Sequence, residues 1–259
     1  MKIGIVGCGG RMGQMLVKAV DEAAAATLVG GTERPGSALA GGTTGAHGAP
    51  VHDNPAALFA AAEVVIDFTV PVATVAHAKL AAETGTALII GTTGLSKQDE
   101  AVLAEAAKVV PVVYAPNFSV GVNLLLGLTE KVAAILADDY DIEIVEMHHR
   151  RKVDAPSGTA LGLGRSAAKG RGVELEQVWC KARDGHPGAR PKGEIGFATL
   201  RGGDVVGDHT VMFAADEERI ELTHKASTRA VFAKGAVRAA LWTKGQKPGL
   251  YSMRDVLGL

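Results

Sequence analysis

The sequence predicts an α/β fold in two parts, a parallel sheet covered by helices and then an α+β region with a largely antiparallel sheet. As far as Phe118, short apolar runs alternate with helical patterns, which is typical of parallel sheets. After Gly193, three short runs follow one another without a helix between them. The chain has 259 residues, 47% of them hydrophobic, and can therefore bury a sizeable core.

The first strand, Lys2–Val6, runs into a glycine-rich turn and then into a helix pattern. This order is the context of a dinucleotide-binding fingerprint, in which backbone N–H groups and a helix N-terminus approach a pyrophosphate. Met12 stands where the fingerprint has its third Gly or Ala, so we expect Gly13 to make the close contact between helix and strand. An ordinary glycine-rich turn is the alternative. The candidate cofactor residues of this turn are Gly7, Cys8, Gly9, Gly10, Arg11 and Met12.

A second strand, Thr27–Thr32, is followed by an acid and a cation, Glu33 and Arg34. Their distance from the glycine-rich turn is about twenty residues, as in dinucleotide-binding folds. An acid at this position binds the ribose hydroxyls of NAD, whereas an arginine pairs with the 2′-phosphate of NADP. Because both side chains are present, we predict that both NADH and NADPH bind. A solvated charge pair is the alternative.

The next elements extend the parallel sheet. Residues 35–50 are rich in Gly, Ser and Thr and are expected to form a loop. We expect strands at Glu63–Thr69, Ala87–Ile90 and Pro111–Tyr114, and helices from Pro71 to about Thr84 and from a capping box, Ser96–Asp99, to about Val109. Ligands bind at the carboxyl ends of such strands, so two further loops join a Rossmann-like site. Their residues are Gly91, Thr92, Thr93, Ala115, Pro116, Asn117 and Phe118.

The second part of the chain begins near Phe118–Val120 and changes to an α+β pattern. We expect helices at Ser119–Ala137, Thr159–Lys169 and Arg229–Trp242, a strand at Tyr140–Glu146, antiparallel strands at Glu194–Arg201, Asp208–Ala214 and Arg219–His224, a long loop at Gly170–Lys192 and an apolar tail at Met253–Leu259.

A basic stretch, His148–Thr159, follows the strand Tyr140–Glu146. It concentrates two histidines, three cations and one acid, and it ends in Pro-Ser-Gly-Thr, which is typical of a helix start. Proton donors at a strand end beside a helix N-terminus suit the binding and protonation of an anionic substrate. A solvated basic loop is the alternative.

The composition bears on partners and location. The net charge of -1 gives no basis for nucleic-acid binding, and no apolar run approaches the ~20 residues of a membrane span. The two cysteines, Cys8 and Cys180, form no CxxC pattern, and the chain opens directly into a strand without a signal peptide, so we expect a cytoplasmic protein. No histidine has zinc-ligand spacing, and no metal is expected.

These motifs resemble the dihydrodipicolinate (4-hydroxy-tetrahydrodipicolinate) reductase family over essentially the whole chain. The most specific matching block is Glu146–Ala160. The other matching blocks are Gly7–Gly13, Glu33-Arg34, Gly91–Gly94, Ala115–Gly121, Gly193–Ala198 with Arg201, Gly207–His209 and Thr223–Ala226. The resemblance implies reduction of a cyclic, unsaturated dicarboxylate by NADH or NADPH in the lysine pathway. It also implies that the last helix and tail return to the first domain. Residues 1–119 and 229–259 would then bind the dinucleotide, and 120–228 would bind substrate and build a homotetramer.

The resemblance also implies the roles of the site residues. It places the general acid on His148 with Lys152 beside it, and either of the two can be the group that delivers the proton. Because a lysine side chain is ordinarily a cation at neutral pH, we expect Lys152 to hold a carboxylate and to favour the anionic transition state. The further substrate-binding residues are His149, Ser157, Gly158, Thr159 and Arg229.

Two other functions compete with this one. A reductase that acts on an aldehyde through a cysteine thioester needs a nucleophilic thiol in the second domain, where Cys180 is the one candidate. A non-catalytic nucleotide sensor, with the second domain as a partner-binding module, would not need the cluster of proton donors.

Overall fold

The structure, a computed structural model, describes residues 1–259. The chain forms two compact units. The first contains Met1–Val120 and Ala230–Gly258, and the second contains Gly121–Arg229 and Leu259. Each unit has its own hydrophobic core.

The strands and helices follow one another in the order that the sequence pattern predicts, with several short additions. The strands are β1 (Lys2–Val6), β2 (Thr27–Thr32), β3 (Thr43–Thr44), β4 (Ala49–His52), β5 (Val64–Asp67), β6 (Ala87–Ile90), β7 (Pro111–Tyr114), β8 (Asp141–His148), β9 (Trp179–Cys180), β10 (Ile195–Arg201), β11 (Gly207–Ala214), β12 (Arg219–Ala226) and β13 (Gly249–Tyr251). The helices are α1 (Arg11–Asp21), α2 (Pro55–Ala61), α3 (Pro71–Thr84), α4 (Lys97–Ala106), α5 (Val120–Leu136), α6 (Gly158–Gly170), α7 (Leu175–Val178), α8 (Ala230–Trp242) and α9 (Met253–Leu257).

The first unit is built on an eight-stranded sheet in the order β13-β7-β6-β5-β1-β2-β4-β3. Every pair in it is parallel except β3–β4. The inner strands are apolar on both faces because α1 and α8 contribute to one core and α2, α3 and α4 to another. The Rossmann-like parallel sheet predicted from the sequence is confirmed.

The second unit contains a five-stranded sheet in the order β12-β11-β8-β10-β9. Its central strand β8 alternates buried and half-buried residues, and α6 packs against it. The pairs β11–β12 and β8–β11 are antiparallel, but β10 runs parallel to β8, where we had expected an antiparallel strand. The intervening helix α6 is the reason, since a crossover of this kind returns the chain in the same direction.

The other differences from the prediction are short elements. The loop expected at 35–50 contains β3 and the start of β4, and the loop expected at Gly170–Lys192 contains α7 and β9. The helix α2 was not predicted, although Asn54 caps it through a bond from the N–H of Ala56. The expected apolar tail forms α9, which a capping box of Ser252 and Asp255 begins.

Candidate active site

The glycine-rich turn after β1 has a backbone that only glycine adopts readily. Gly7 lies in the left-handed region at φ 67°. A Cβ added at Gly13 would overlap the carbonyl oxygen of Gly7, so α1 packs directly on the turn. Gly10 and Arg11 are exposed, Met12 packs on the core, and no side chain caps the N-terminus of α1. The turn therefore leaves the first N–H groups of the helix open to an anion such as a pyrophosphate.

The acid that follows β2 faces this turn. The N–H of Gly9 donates to Oε1 of Glu33 at 2.7 Å, while the N–H of Cys8 donates to the carbonyl of Thr32 at 3.1 Å. Arg34 is exposed. Burial, and then the charge of Glu33, raise the pKa of the Cys8 thiol. Cys8 is therefore a neutral packing group, and its N–H is engaged within the protein.

A buried carboxylate that the sequence did not reveal as part of a site lies at the carboxyl end of β5. Oδ1 of Asp67 accepts from the N–H and hydroxyl of Thr69 at 2.9 and 2.6 Å, and Oδ2 is 2.8 Å from Nδ1 of His77. The hydroxyl of Thr92 accepts from the N–H of Thr69 at 3.1 Å. Burial would raise the pKa of Asp67, but the bonds from His77 and Thr69 outweigh it and lower that pKa. The network ties the loops after β5 and β6 together.

Replacing Asp67 with Asn is expected to lower the free energy of unfolding by about 2 kcal/mol, because an amide cannot accept all the donors around the carboxylate. The loss should be largest at neutral pH. Since the folded pKa is lowered, the ionised group stabilises the fold above its unfolded pKa, and this stability is lost as pH falls through the folded pKa.

Urea denaturation at neutral and acid pH measures both effects. The matched control is Asp99→Asn, in the exposed capping box of α4, which should cost much less. Equal losses in the two variants would contradict a special role of the Asp67 network.

The two other predicted cofactor loops follow β6 and β7. Thr93 and Pro116 are exposed. Phe118 is buried, with its ring centroid 5.4 Å from that of Phe68, so its side chain belongs to the core. Oδ1 of Asn117 accepts a backbone N–H two residues further on at 2.8 Å, which fixes the turn into α5. The remaining members of the predicted set in these loops are half-buried or buried, namely Gly91, Thr92 and Ala115.

In the second unit, a buried ion network surrounds His148 at the end of β8. Nδ1 of His148 is 2.6 Å from Oε2 of Glu146, which is 1% exposed. Arg201, on β10, donates to both oxygens of Glu146 at 2.8 and 2.9 Å. The N–H of Ser157 donates to Oε1 of Glu146 at 3.0 Å. The network joins β8, β10 and the start of α6.

The pKa of His148 lies below its ordinary value. Burial is the main cause, and Lys152 and Arg201 lower the pKa further, while the adjacent Glu146 raises it. The imidazole of His148 is therefore neutral in the free protein at neutral pH. A group that donates a proton there must first take one up.

A second buried imidazole lies beside the first. His209, on β11, meets His148 edge-on with ring centroids 5.1 Å apart, and its Nε2 is 3.0 Å from the hydroxyl of Ser157. Burial, and then the proximity of a second titratable imidazole, His148, lower the pKa of His209 to about 4. We assigned no role to His209, Arg201 or Glu146 from the sequence. For Glu146, the spacing of two residues from His148 on one strand was a usable signal.

Lys152 and His149 lie in the turn that follows β8. Nζ of Lys152 is 2.8 Å from Oδ1 of Asp154, and the Lys152 side chain is 20% exposed. The N–H of His149 donates to the carbonyl of Val205 at 2.7 Å, and Nδ1 of His149 is buried without a hydrogen-bond partner.

The predicted helix start is present. The hydroxyl of Ser157 accepts from the N–H of Ala160 at 3.1 Å and caps α6. Gly158 is exposed, and Thr159 is half-buried in the first turn. Arg229 is exposed directly before α8. The second unit thus brings His148, Lys152 and the N-terminus of α6 to one end of β8.

Comparison with known families accounts for nearly the entire chain. The model described as "Dihydrodipicolinate reductase, N-terminus" matches residues 1–118, and the one described as "Dihydrodipicolinate reductase, C-terminus" matches residues 121–257. The chain belongs to the dihydrodipicolinate reductase family. It is therefore an oxidoreductase with a nicotinamide cofactor.

Curated relatives of the dihydrodipicolinate reductase family cover the chain from end to end. A 4-hydroxy-tetrahydrodipicolinate reductase from Afipia carboxidovorans is 54% identical over 265 residues, covering 100% of this chain and 97% of the relative. One from Granulibacter bethesdensis is 56% identical over 260 residues, with the same two coverages, 100% and 97%.

Solved structures share the fold. Dipicolinate-bound dihydrodipicolinate reductase from a Paenisporosarcina species has a TM-score of 0.78 at 24% identity, over 97% of each chain. A probable dehydrogenase from Thermotoga maritima has a TM-score of 0.62 at 10% identity, over 99% of this chain and 92% of the other. None of the helices combines the length and the apolar character needed to cross a membrane.

Proposed function

We propose that this protein uses NADH or NADPH to reduce 4-hydroxy-tetrahydrodipicolinate (dihydrodipicolinate) to tetrahydrodipicolinate in lysine biosynthesis. The observation that carries the proposal is the buried pair of His148 and Glu146 at the end of β8, beside Lys152 and the N-terminus of α6. Family membership supplies the reaction class. Loss of water from the 4-hydroxy compound gives dihydrodipicolinate, the form that accepts the hydride, which carries two carboxylates and a ring C=C conjugated to an imine.

His148 is the proposed proton donor, with Lys152 beside it. A bound reduced nicotinamide supplies the hydride, and the negative charge that develops on the substrate must be taken up by a proton. Nδ1 of His148 is engaged by Glu146, which leaves Nε2 to carry that proton. Lys152 lowers the pKa of His148, so a dicarboxylate that offsets this positive charge would favour the protonated imidazole. Substrate binding would thereby promote protonation of His148.

The substrate carboxylates are proposed to bind at the N-terminus of α6 and at Lys152. The N–H of Ser157 already donates to Glu146, so Gly158, with Thr159 beside it, would meet the anion at the helix end. The buried Nδ1 of His149, which has no partner, fits a role in holding substrate. Arg229 is proposed as a further substrate-side cation.

The turn of the first unit fits a dinucleotide. Gly13 allows the close packing of α1, the helix N-terminus carries no cap, and the carboxylate of Glu33 lies at the turn. We propose the cofactor residues named from the sequence, with Thr92 and Phe118 taking part through their backbone and Cys8 by holding the shape of the turn. Glu33 would bind ribose hydroxyls and Arg34 the 2′-phosphate of NADPH.

The two cofactors are expected to be used with kcat/KM values that differ by less than about a thousandfold, or ~4 kcal/mol. Glu33 repels a 2′-phosphate while Arg34 attracts it, so neither cofactor is strongly excluded. Steady-state rates with each cofactor give the ratio. Arg34→Gln should move it toward NADH and Glu33→Gln toward NADPH. A parent ratio above a thousandfold would show that one side chain dominates.

These sites give each of the two domains its own proposed function. Residues 1–119 and 229–259 are the proposed dinucleotide-binding domain, and 120–228 are proposed to bind substrate and to oligomerise. The edge strand β12 pairs only with β11 and is largely exposed, which supports a homotetramer formed through this sheet. A biosynthetic reaction that draws on the reduced nicotinamide pool supports a cytoplasmic location.

The deciding experiment follows NADH and NADPH absorbance with the cyclic substrate made in place from pyruvate and aspartate semialdehyde by its synthase. Oxidation that needs both this protein and the synthase supports the proposal. Cofactor binding without oxidation would favour the nucleotide sensor instead. Activity with a simple aldehyde that disappears in Cys180→Ser would favour the thioester mechanism.

A further inference from the structure

Glu146 is a buried carboxylate, and both of its oxygens have hydrogen-bond partners within the protein. Oε2 is 2.6 Å from Nδ1 of His148 and accepts from Nη1 of Arg201 at 2.8 Å. Oε1 accepts from Nη2 of Arg201 at 2.9 Å and from the N–H of Ser157 at 3.0 Å. Burial would raise the pKa of Glu146, but Arg201 and His148 outweigh it and lower that pKa. The group is therefore an anion that can only accept hydrogen bonds.

Strand register explains why these side chains meet. Glu146 and His148 are two residues apart on β8 and so share one face of the sheet. Arg201 lies opposite His148 in the parallel pair with β10, and His209 lies opposite Glu146 in the antiparallel pair with β11. Three adjacent strands thus build the surroundings of one imidazole.

An anion at Nδ1 determines the tautomer of His148. Since Glu146 can only accept, Nδ1 must carry a hydrogen, and in the neutral ring Nε2 then has a lone pair. Nε2 of His148 faces Gly207, and a Cβ added at Gly207 would lie 2.9 Å from this nitrogen. The ring nitrogen that can take up a second proton is the one without a protein partner.

We propose that Glu146, clamped by Arg201, is the positioning residue of the proton donor: it fixes His148 as the Nδ1–H tautomer and leaves Nε2 as the atom that takes up a proton and passes it to substrate. This inference rests on the proposed function for its catalytic consequence, but the tautomer itself is independent of any substrate. The arrangement follows the general logic of an imidazole that is oriented by a buried carboxylate.

Charged and titratable groups face His148 from each neighbouring element. They are Glu146 on its own strand, Arg201 on β10, His209 on β11 with His224 opposite it on β12, and Lys152 with Asp154 in the following turn. Among them Glu146 raises the pKa of His148, while Arg201 lowers it. Replacing Glu146 and replacing Arg201 should therefore move the pH dependence of activity in opposite directions.

The test compares kcat/KM against pH, from about pH 5 to about pH 9, in Glu146→Gln and Arg201→Gln. Activity that depends on a protonated imidazole falls as pH rises through its pKa. In Glu146→Gln this fall should move to lower pH, with kcat/KM reduced by about 10²-fold at neutral pH. In Arg201→Gln the fall should move to higher pH. If kcat/KM falls by the same factor at every pH in both variants, Glu146 and Arg201 form only a structural ion pair, and the proposal is overturned.

The matched control is Glu143→Gln. Glu143 lies on the same strand and is also held by arginines, Arg183 and Arg190, but it lies on the half-buried face of β8. Its loss should leave the pH profile of the parent unchanged. A shift equal to that of Glu146→Gln would show that any carboxylate of β8 has this effect, which would contradict the proposal.

Nitrogen NMR of the histidine side chains in the unmodified, ligand-free protein tests the tautomer directly, with His148 assigned by its absence in His148→Gln. A protonated Nδ1 and an unprotonated Nε2 near neutral pH support the proposal, and the opposite tautomer overturns it. This measurement keeps the test decisive if Glu146→Gln does not fold. It also distinguishes failure of the proposed function from failure of the tautomer proposal. If the unmodified protein shows no turnover, the proposed function is contradicted, but the tautomer result is unaffected.

Discussion

The His148→Gln variant is expected to lose about 10²-fold or more in kcat, with little change in the affinity for cofactor. Glutamine can donate a hydrogen bond to Glu146 in place of Nδ1, so the buried network keeps a donor. It cannot take up a proton and release it to substrate. The loss therefore isolates proton delivery, and steady-state kinetics with a cofactor titration measure it.

The pH profile adds a second criterion for His148. Because the pKa of His148 is lowered, kcat/KM of the parent should already decline as pH rises from below the ordinary histidine value of ~6.5. This decline should be absent in His148→Gln. The control is His186→Gln, in an exposed loop of the same unit, which should behave like the parent. A near-parental kcat in His148→Gln would remove His148 from the mechanism.

Local sequence signals were sufficient where a few consecutive residues determine the structure. The glycine-rich turn and Gly13 predicted the packing of α1, and Ser96 with Asp99 predicted the start of α4, which the structure confirms. The short helices α2 and α9 carried equally local signals, in Asn54 and in Ser252 with Asp255. They were missed because segments of five to seven residues show too little apolar periodicity to be recognised.

The non-local part of the site could not be predicted in the same way. Arg201 reaches Glu146 across 55 residues of sequence, and only the pairing of β10 with β8 brings them together. The direction of β10 depends on the crossover through α6, which the strand pattern itself does not contain. A buried carboxylate such as Asp67 has no sequence signature either, because its burial results from the packing of both faces of the sheet. The motifs thus indicated where a candidate site lies, while the arrangement of charges around His148 became apparent only from the fold.

The Lys152→Ala variant is expected to lower kcat by about 10²-fold or more and to raise KM for the dicarboxylate. Lys152 lies in the turn that follows His148, and Asp154 is its only ion-pair partner. Substrate would compete with the half-exposed Asp154 carboxylate for the ammonium group. Lys152→Arg keeps a cation at this position, so its KM for the dicarboxylate should lie between those of the parent and of Lys152→Ala. Lys192→Ala is the control, since it breaks a comparable but exposed pair with Asp138.

The pH profile of Lys152→Ala decides which group delivers the proton. Lys152 lowers the pKa of His148, so its removal should move the decline in kcat/KM to higher pH if His148 is the donor. If Lys152 delivers the proton instead, any decline in kcat/KM that the parent shows belongs to the lysine, so it should be absent in Lys152→Ala and retained in His148→Gln. The two single variants therefore give opposite patterns under the two mechanisms. A decline that is shifted in Lys152→Ala and absent in His148→Gln would assign the proton to His148 and the binding of the carboxylate to Lys152.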